Sequence, residues 1–479
     1  MSPRFTKRHL HRQECLCHRT SPSPSGRGPG RGFLPLRRAN SQCYSETRTT
    51  RHVHATRTVD DAASMTQQHV VVIGGGVIGA ACAYHLIRDG CQVTLLEKDR
   101  FGRGCSHANC GLVCPSHVLP LAEPGAIGRT LRAMFRRNSP FAIKPRLDPA
   151  LWMWLLRFAR RCNRRDMLSA GRACQRLLDP SLAMYDEMIR SEQMDCQWER
   201  KGLLFVFRTT QEMEAYSQTD RLLADEFNLP AKRIEPQELL DLEPALLDGL
   251  AGGWYYPEDA HLRPDRLMSE WRSVLERRGV VIHEGAAARG FAKQNGRATA
   301  VETAQGSIAA DAFVLATGAL APKLSGELGC IIPIQPGKGY SVTMPRPAIC
   351  PAMPLLFPED KVVVTPMQSG YRLGSTMEFA GYDATIHRTR LGLLRDGARR
   401  YLREPVAEPI EEEWFGWRPM TYDGIPIIDR TAALHNVIVA AGHNMLGLSM
   451  APATGRLVAE MIADKSPSID PAPYSLRRF

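Results

Sequence analysis

Three glycines, Gly74, Gly76 and Gly79, form a GxGxxG pattern directly after the β-branched run His69–Ile73. In such a loop the first glycine makes a tight turn and the second lets the backbone approach a diphosphate. The third lets a helix pack closely on a strand. The following helix turns its free N–H groups and positive dipole end toward the phosphates. Glu97 lies 18 residues beyond Gly79 at the end of the next apolar run. A carboxylate there accepts hydrogen bonds from ribose hydroxyls and disfavours a 2′-phosphate. With 39 glycines in the chain, a bare GxGxxG arises easily by chance. Its place between a strand and a helix, with Glu97 at the right distance, favours an adenine dinucleotide site over a structural glycine turn. The motif does not separate nicotinamide from flavin.

Other chemistries lack an anchor. Cys105, Cys110 and Cys114 have CxxxxCxxxC spacing, which raises a metal or iron–sulfur question. No paired CxxC accompanies them, and no metal is expected. There is no GxSxG elbow and no HExxH helix for a hydrolase. Residues 129–165 carry Arg129, Arg132, Arg136, Arg137, Arg157, Arg160, Arg161, Arg164 and Arg165, interleaved with Phe135, Trp152, Trp154 and Phe158. Such a segment either lies on an anionic membrane surface or packs as an amphipathic helix with a solvated arginine face.

The elements that must position the glycine loop follow from periodicity. His69–Ile73 suits a buried parallel strand, residues 77–87 carry apolar side chains at helical spacing, and residues 91–96 form a second strand. Such a unit belongs to a doubly wound sheet. Pro264 opens a helix predicted to reach about residue 278, followed by a strand at 280–283. Further strands are predicted at 312–316, closing on Thr317 and Gly318, and at Val437–Ala441, with a last helix near 452–463. Residues 119–258 read as helical, whereas residues 331–373 alternate short β runs with Pro and Gly. The predicted fold class is α/β: a discontinuous Rossmann-like domain (65–118, 259–328 and 411–479) interrupted by an α+β domain built on an antiparallel sheet (119–258 and 329–410).

The net charge of +11 is unevenly placed. Residues 1–64 hold twelve Arg and Lys against four acids, so only +3 remains for the other residues. The body therefore offers no general attraction to nucleic acid. The first 64 residues read as a disordered basic extension, with Met65 as a natural start and an organelle transit peptide as the alternative. Ten of the 13 cysteines lie beyond it, irregularly spaced, which fits a reducing cytoplasmic setting. Residues 70–87 contain no Asp, Glu, Lys or Arg, but their glycines favour a strand and helix pair over a membrane span.

Two passages, RPMTYDGIPIID from Arg418 and GHNMLGLSMAPATG from Gly442, resemble the C-terminal signature of the D-amino acid oxidase superfamily of flavoenzymes. SHANCG at 106–111, PGKGYS at 336–341 and RLGSTMEFAGYD at 372–383 extend the resemblance, most strongly to the D-amino acid dehydrogenase branch. The APATG segment from Ala451 is more similar to the glycine oxidase branch. The resemblance covers about residues 68–465.

What it implies is specific. FAD contacts fall on Gly74, Gly76, Val77, Ile78 and Gly79, on Glu97 and Lys98, on Cys105 and Ser106, and on Cys110, Gly111 and Leu112. Ala288 lends its backbone to the adenine side. Gly442, His443, Asn444, Met445, Leu446, Gly447, Leu448 and Ser449 wrap the isoalloxazine, whose reduced form is stabilised by backbone N–H groups and a helix dipole. Arg418 matches the carboxylate-binding arginine, and its planar guanidinium suits bidentate capture. The alternative is an ordinary ion pair. Tyr340 is either a substrate-bonding phenol or a core residue, and His443 either a flavin neighbour or a satisfied turn residue. Sarcosine oxidases of this superfamily tether flavin through a cysteine; Gly416 stands at that position here, which implies non-covalent FAD.

The activity implied is oxidative deamination of a D-amino acid, or of a small amine of the glycine, sarcosine or D-proline type, by hydride transfer to flavin N5. The electron acceptor, whether oxygen, a quinone or a protein, stays open. Contact with the inner membrane face is the role the resemblance gives the arginine-rich segment. The alternative is a flavin-binding subunit or assembly protein without independent turnover.

Overall fold

The computed structural model describes residues 67–134 and 139–479. Expectations for residues 1–64, and for Phe135, Arg136 and Arg137, lie outside the described residues.

His69–Ile73 is buried along nearly its whole length, as a β-branched run must be when both sheet faces are covered. It pairs in parallel with Gln92–Leu96 on one side and Ala312–Leu315 on the other. Val281–His283 and Val437–Ala441 extend this sheet in parallel, and Ile427–Arg430 closes it antiparallel. The first strand thus sits at the centre of a six-stranded sheet, where the glycine loop leaves its carboxyl end. Helix Val77–Arg88 follows with no capping side chain and no acid in its first turn. Its terminal N–H groups are left without intrahelical partners. A Cβ on Gly79 would stand 1.8 Å from the Gly74 carbonyl oxygen, so this glycine permits helix and loop to meet.

The last long helix spans Gly447–Ile462, five residues earlier than its predicted start at Pro452. Proline at a first helical position is the usual signal, but here Pro452 lies inside the helix. Its missing N–H would leave the Leu448 carbonyl free. The Tyr185 hydroxyl donates to that oxygen at 2.8 Å and allows the helix to begin at Gly447. The same helix packs on Val77–Arg88 almost backbone to backbone: a Cβ on Gly455 would come within 2.4 Å of the Ala81 carbonyl oxygen.

The second sheet has nine strands and is mixed rather than purely antiparallel. Leu203–Phe207 pairs in parallel with Leu355–Phe357, and Phe141–Ile143 with Gly370–Phe379. Ile334–Met344, buried at every position, lies second from one edge, between the edge strand Glu412–Thr421 and Gly370–Phe379. The proposed boundary at 411 is corrected by this pairing: Glu412–Thr421 joins the larger sheet, and the return to the smaller one begins at Ile427. Arg164–Glu192 is a 29-residue helix beside the last helix.

Replacing Gly455 with alanine should lower stability by about 1–3 kcal/mol, the range for overpacking. Urea unfolding would show this as a lower midpoint; an unchanged midpoint contradicts the close crossing.

Candidate functional site

A cavity of about 2110 Å³ opens between the two sheets. That exceeds a pocket for one small ligand, typically about 300–1,000 Å³. Of the residues expected to contact FAD or substrate, all line this cavity except Gly79 and Gly442. Gly79 serves helix packing, and Gly442 makes a left-handed turn (φ +79°) against Thr421.

At one end, the glycine loop is shaped for a diphosphate. Gly74 has φ +113°, and a Cβ there would collide with the Ala316 carbonyl oxygen at 2.5 Å. Glu97 is fixed by two backbone donors, Gly75 N–H to Oε2 at 2.8 Å and Asp99 N–H to Oε1 at 3.0 Å. Its carboxylate therefore faces the cavity in one orientation. Ser106 Oγ accepts the Val77 N–H at 2.9 Å and brings its own hydroxyl to the helix N-terminus. Thr317 Oγ1, beside Gly74, is buried without a partner. This combination of a crowded glycine cradle, an oriented acid and an orphan hydroxyl fits an adenine dinucleotide. The N-terminus of Gly447–Ile462 also lines the cavity, again with no capping side chain and no acid in its first turn.

The loop after Ser106 is held to the larger sheet by consecutive carbonyls. Ser341 Oγ donates to Ala108 O at 2.7 Å, Arg372 Nη1 to Asn109 O at 2.9 Å, and Thr365 Oγ1 to Cys110 O at 2.6 Å. These donors stand on three adjacent strands. Arg372 is buried, and burial lowers its pKa while nearby Asp265 opposes the shift. Sequence reasoning missed all three donors, because each is an ordinary strand residue until the register is known.

At the other end stands Arg418. It projects from Glu412–Thr421 and lies over Gly339 of the neighbouring strand, where a Cβ would come within 2.4 Å of the guanidinium carbon. Nη1 donates to Thr376 O at 2.7 Å and Nη2 to Ser375 O at 3.4 Å. Among the described residues no carboxylate pairs with it within 4.0 Å, so the ion-pair alternative fails. Its charge still reaches Cys105 and Cys110: burial raises both thiols, Cys105 to about 11, and Arg418 opposes the shift.

Tyr340 lines the cavity but donates its hydroxyl to Glu378 Oε2 at 2.9 Å inside the core. Burial and that carboxylate raise its pKa. The phenol is therefore not a free donor, which corrects half of its expected role. His443 Nε2 lies 3.0 Å from Thr454 Oγ1, and burial pushes the imidazole down to about 3. The ring is thus kept neutral and paired with the last helix while the residue lines the cavity, so acid–base work is not assigned to it.

Among the described residues the donor atoms that converge are those of Cys114, His117 and Asp259, within 4.8 Å of one another. The three sequence cysteines do not form such a group. Asp259 is already paired: Ser116 N–H and Oγ donate to it at 3.1 and 2.5 Å, and the Cys114 thiol also hydrogen-bonds it. Burial lowers His117 to about 4.

Residues 69–461 match the FAD dependent oxidoreductase family, to which this chain belongs. It is 33% identical over 426 residues to a D-amino acid dehydrogenase of Methylobacterium radiotolerans, covering 86% of this chain and 99% of that one. It is 31% identical over 416 residues to a D-amino acid dehydrogenase of Granulibacter bethesdensis, with the same coverage of both chains. The crystal structure of glycine oxidase from Geobacillus kaustophilus superposes with a TM-score of 0.69 at 23% identity, over 86% of this chain and 100% of that one. The protein is an FAD-dependent oxidoreductase with the fold expected from its sequence.

Burial raises the Asp259 carboxyl to about 7, with the Ser116 hydrogen bonds opposing. Because the folded form binds its proton more tightly than the unfolded chain, this group's contribution to stability falls between about pH 4 and pH 7 and is level above. Asp259→Asn removes that dependence, so the variant's stability relative to the parent should rise across this window. A flat difference would contradict the raised carboxyl.

Proposed function

We propose that this protein oxidises the carbon–nitrogen bond of a D-amino acid, or of a small amine of the glycine, sarcosine or D-proline type. The observation that carries the reading is Arg418, a guanidinium oriented by carbonyls, left without a carboxylate and facing a cavity that accepts a dinucleotide. A substrate carboxylate is the natural partner for such a group. The named D-amino acid dehydrogenases support the substrate class.

In this reading Gly74, Gly76, Val77 and Ile78 hold the FAD diphosphate, while Glu97 and Lys98 sit at the ribose and Ala288 at the adenine. Cys105 to Leu112 and His443 to Ser449 enclose the ring system, and Gly416 offers no thiol for a covalent link. Bound FAD would supply a hydride acceptor; the imine left by a primary amine hydrolyses to a 2-oxo acid and ammonia, and that of a secondary amine keeps its alkylated nitrogen. Arg418 fixes the substrate's direction, and the apolar walls of Trp414, Phe415 and Trp417 exclude water. No side chain of the site is assigned as a general base. The acceptor class, oxygen, quinone or protein, is set by measurement.

Arg418→Ala should lower kcat/KM for a D-amino acid by about 10²-fold, the loss of charge-assisted hydrogen bonds, with FAD content unchanged. Arg418→Lys should fail to restore it, since an ammonium cannot form the planar fork. Unchanged kinetics with an artificial electron acceptor would remove the assignment.

Helix Pro149–Arg161 adds a membrane contact to the proposal. Leu151 and Trp154 face inward, leaving Trp152, Met153 and Leu156 at 52%, 49% and 48% exposure. The outward face is thus apolar with Arg160 exposed near its end, a composition that supports an interfacial helix. No helix among the described residues is long and apolar enough to cross a membrane. Vesicles containing anionic lipid should pull the protein down in sedimentation, and Trp152→Ser with Leu156→Ser should release it. Equal recovery of parent and variant would contradict the contact.

A further inference from the structure

The wall opposite Arg418 contains a local irregularity that folding alone disfavours. Along the pairing of Ile334–Met344 with Gly370–Phe379, Tyr340 faces Ser375 while Lys338 faces Glu378. One extra residue is therefore inserted in the second strand, a β-bulge opposite Gly339. Two successive non-glycine residues there have positive φ, Ser375 at +120° and Thr376 at +54°. Both lie in backbone regions that side chains disfavour, and Ser375 occupies one that glycine alone adopts readily. Thr376 is also 4% exposed, with its Oγ1 lacking a partner. Three unfavourable features coincide within two residues.

What the irregularity accomplishes is visible in its hydrogen bonds. Arg418 starts on the strand to one side of Gly339, crosses that glycine, and ends on the carbonyl oxygens of Ser375 and Thr376 on the other side. In a regular antiparallel strand those carbonyls would lie in the plane of the sheet and bond to its neighbours. The bulge turns them toward the guanidinium instead. A carboxylate in their place would also fix the side chain, but would cancel its charge. Two carbonyls restrain it and leave it cationic. An arginine has five N–H donors, so one N–H on each terminal nitrogen and the Nε–H remain for an anion.

We infer that the Ser375–Thr376 bulge is a positioning device for Arg418, holding a cation at fixed orientation with neutral acceptors so that a carboxylate is captured bidentately. Ser375 and Thr376 act through the arginine, by their backbone, and their strained conformation persists because it serves ligand binding. The inference rests on the carboxylate reading of Arg418.

The FAD-loaded protein tests it through deletion of Thr376, which removes the extra residue and restores regular pairing, and through Ser375→Gly with Thr376→Gly, which keeps the positive φ values without strain. Acetate affinity is read from the perturbation of the flavin's visible absorption and needs no turnover; KM for a D-amino acid is read alongside. The deletion should weaken acetate binding and raise KM about 10-fold, the scale of a small misplacement, with FAD content unchanged. The glycine pair should stay near the parent in both, with a thermal midpoint equal or higher. Acetate affinity and KM unchanged in the deletion would overturn the inference, whatever the midpoint does. A parent protein that binds no carboxylate would remove the reading of Arg418 itself, a separate failure.

Discussion

The loop from Ser106 to Cys110 joins the two halves of the molecule. Its first hydroxyl accepts a helix N–H of the smaller sheet's glycine unit, and its next carbonyls are held by donors from three strands of the larger sheet. A loop tied at both ends fixes the distance between the glycine cradle and Arg418. The cavity lies between those ties, so its dimensions follow from hydrogen bonds rather than from the pliable packing of side chains. Close crossing of the first and last helices at Ala81 and Gly455 adds the second constraint, bringing two helix N-termini to the same space.

Electrostatics within that space follow one pattern. Both helix N-termini lack acids in the first turn, Cys105 and Cys110 are kept as thiols by burial, and Arg418 is held by carbonyls. At both helix ends and at Arg418, positive potential is thus left without a first-turn acid or a paired carboxylate. The carboxylate that lies nearby in sequence, Glu378, is occupied by the Tyr340 hydroxyl. A dinucleotide diphosphate at one end and a carboxylate at the other are the anions this distribution accommodates.

Much of this was legible because it is local. Gly74, Gly76, Gly79 and Glu97 report on one strand, helix and strand unit, and their spacing survives without knowledge of the rest. The C-terminal passages from Arg418 and Gly442 were readable through resemblance. What escaped depends on distant partners. The last helix begins early because Tyr185, 263 residues away, satisfies the carbonyl that Pro452 leaves free. Tyr340 lost its free hydroxyl to a residue brought near by strand register, and the Ser375–Thr376 bulge appears as ordinary strand sequence. Glu412–Thr421 was assigned to the wrong sheet for the same reason: pairing along Ile334–Met344 is not encoded in its own period.

The central claim is that one cavity binds FAD and presents a D-amino acid or small amine to it by its carboxylate. The most direct measurement is the visible spectrum of the purified protein, mixed without oxygen with single D-amino acids and the small amines. A yellow protein whose flavin absorption bleaches with at least one of them is the result predicted. A colourless protein that takes up no FAD, or an FAD-loaded one that none of them bleaches, would contradict the account.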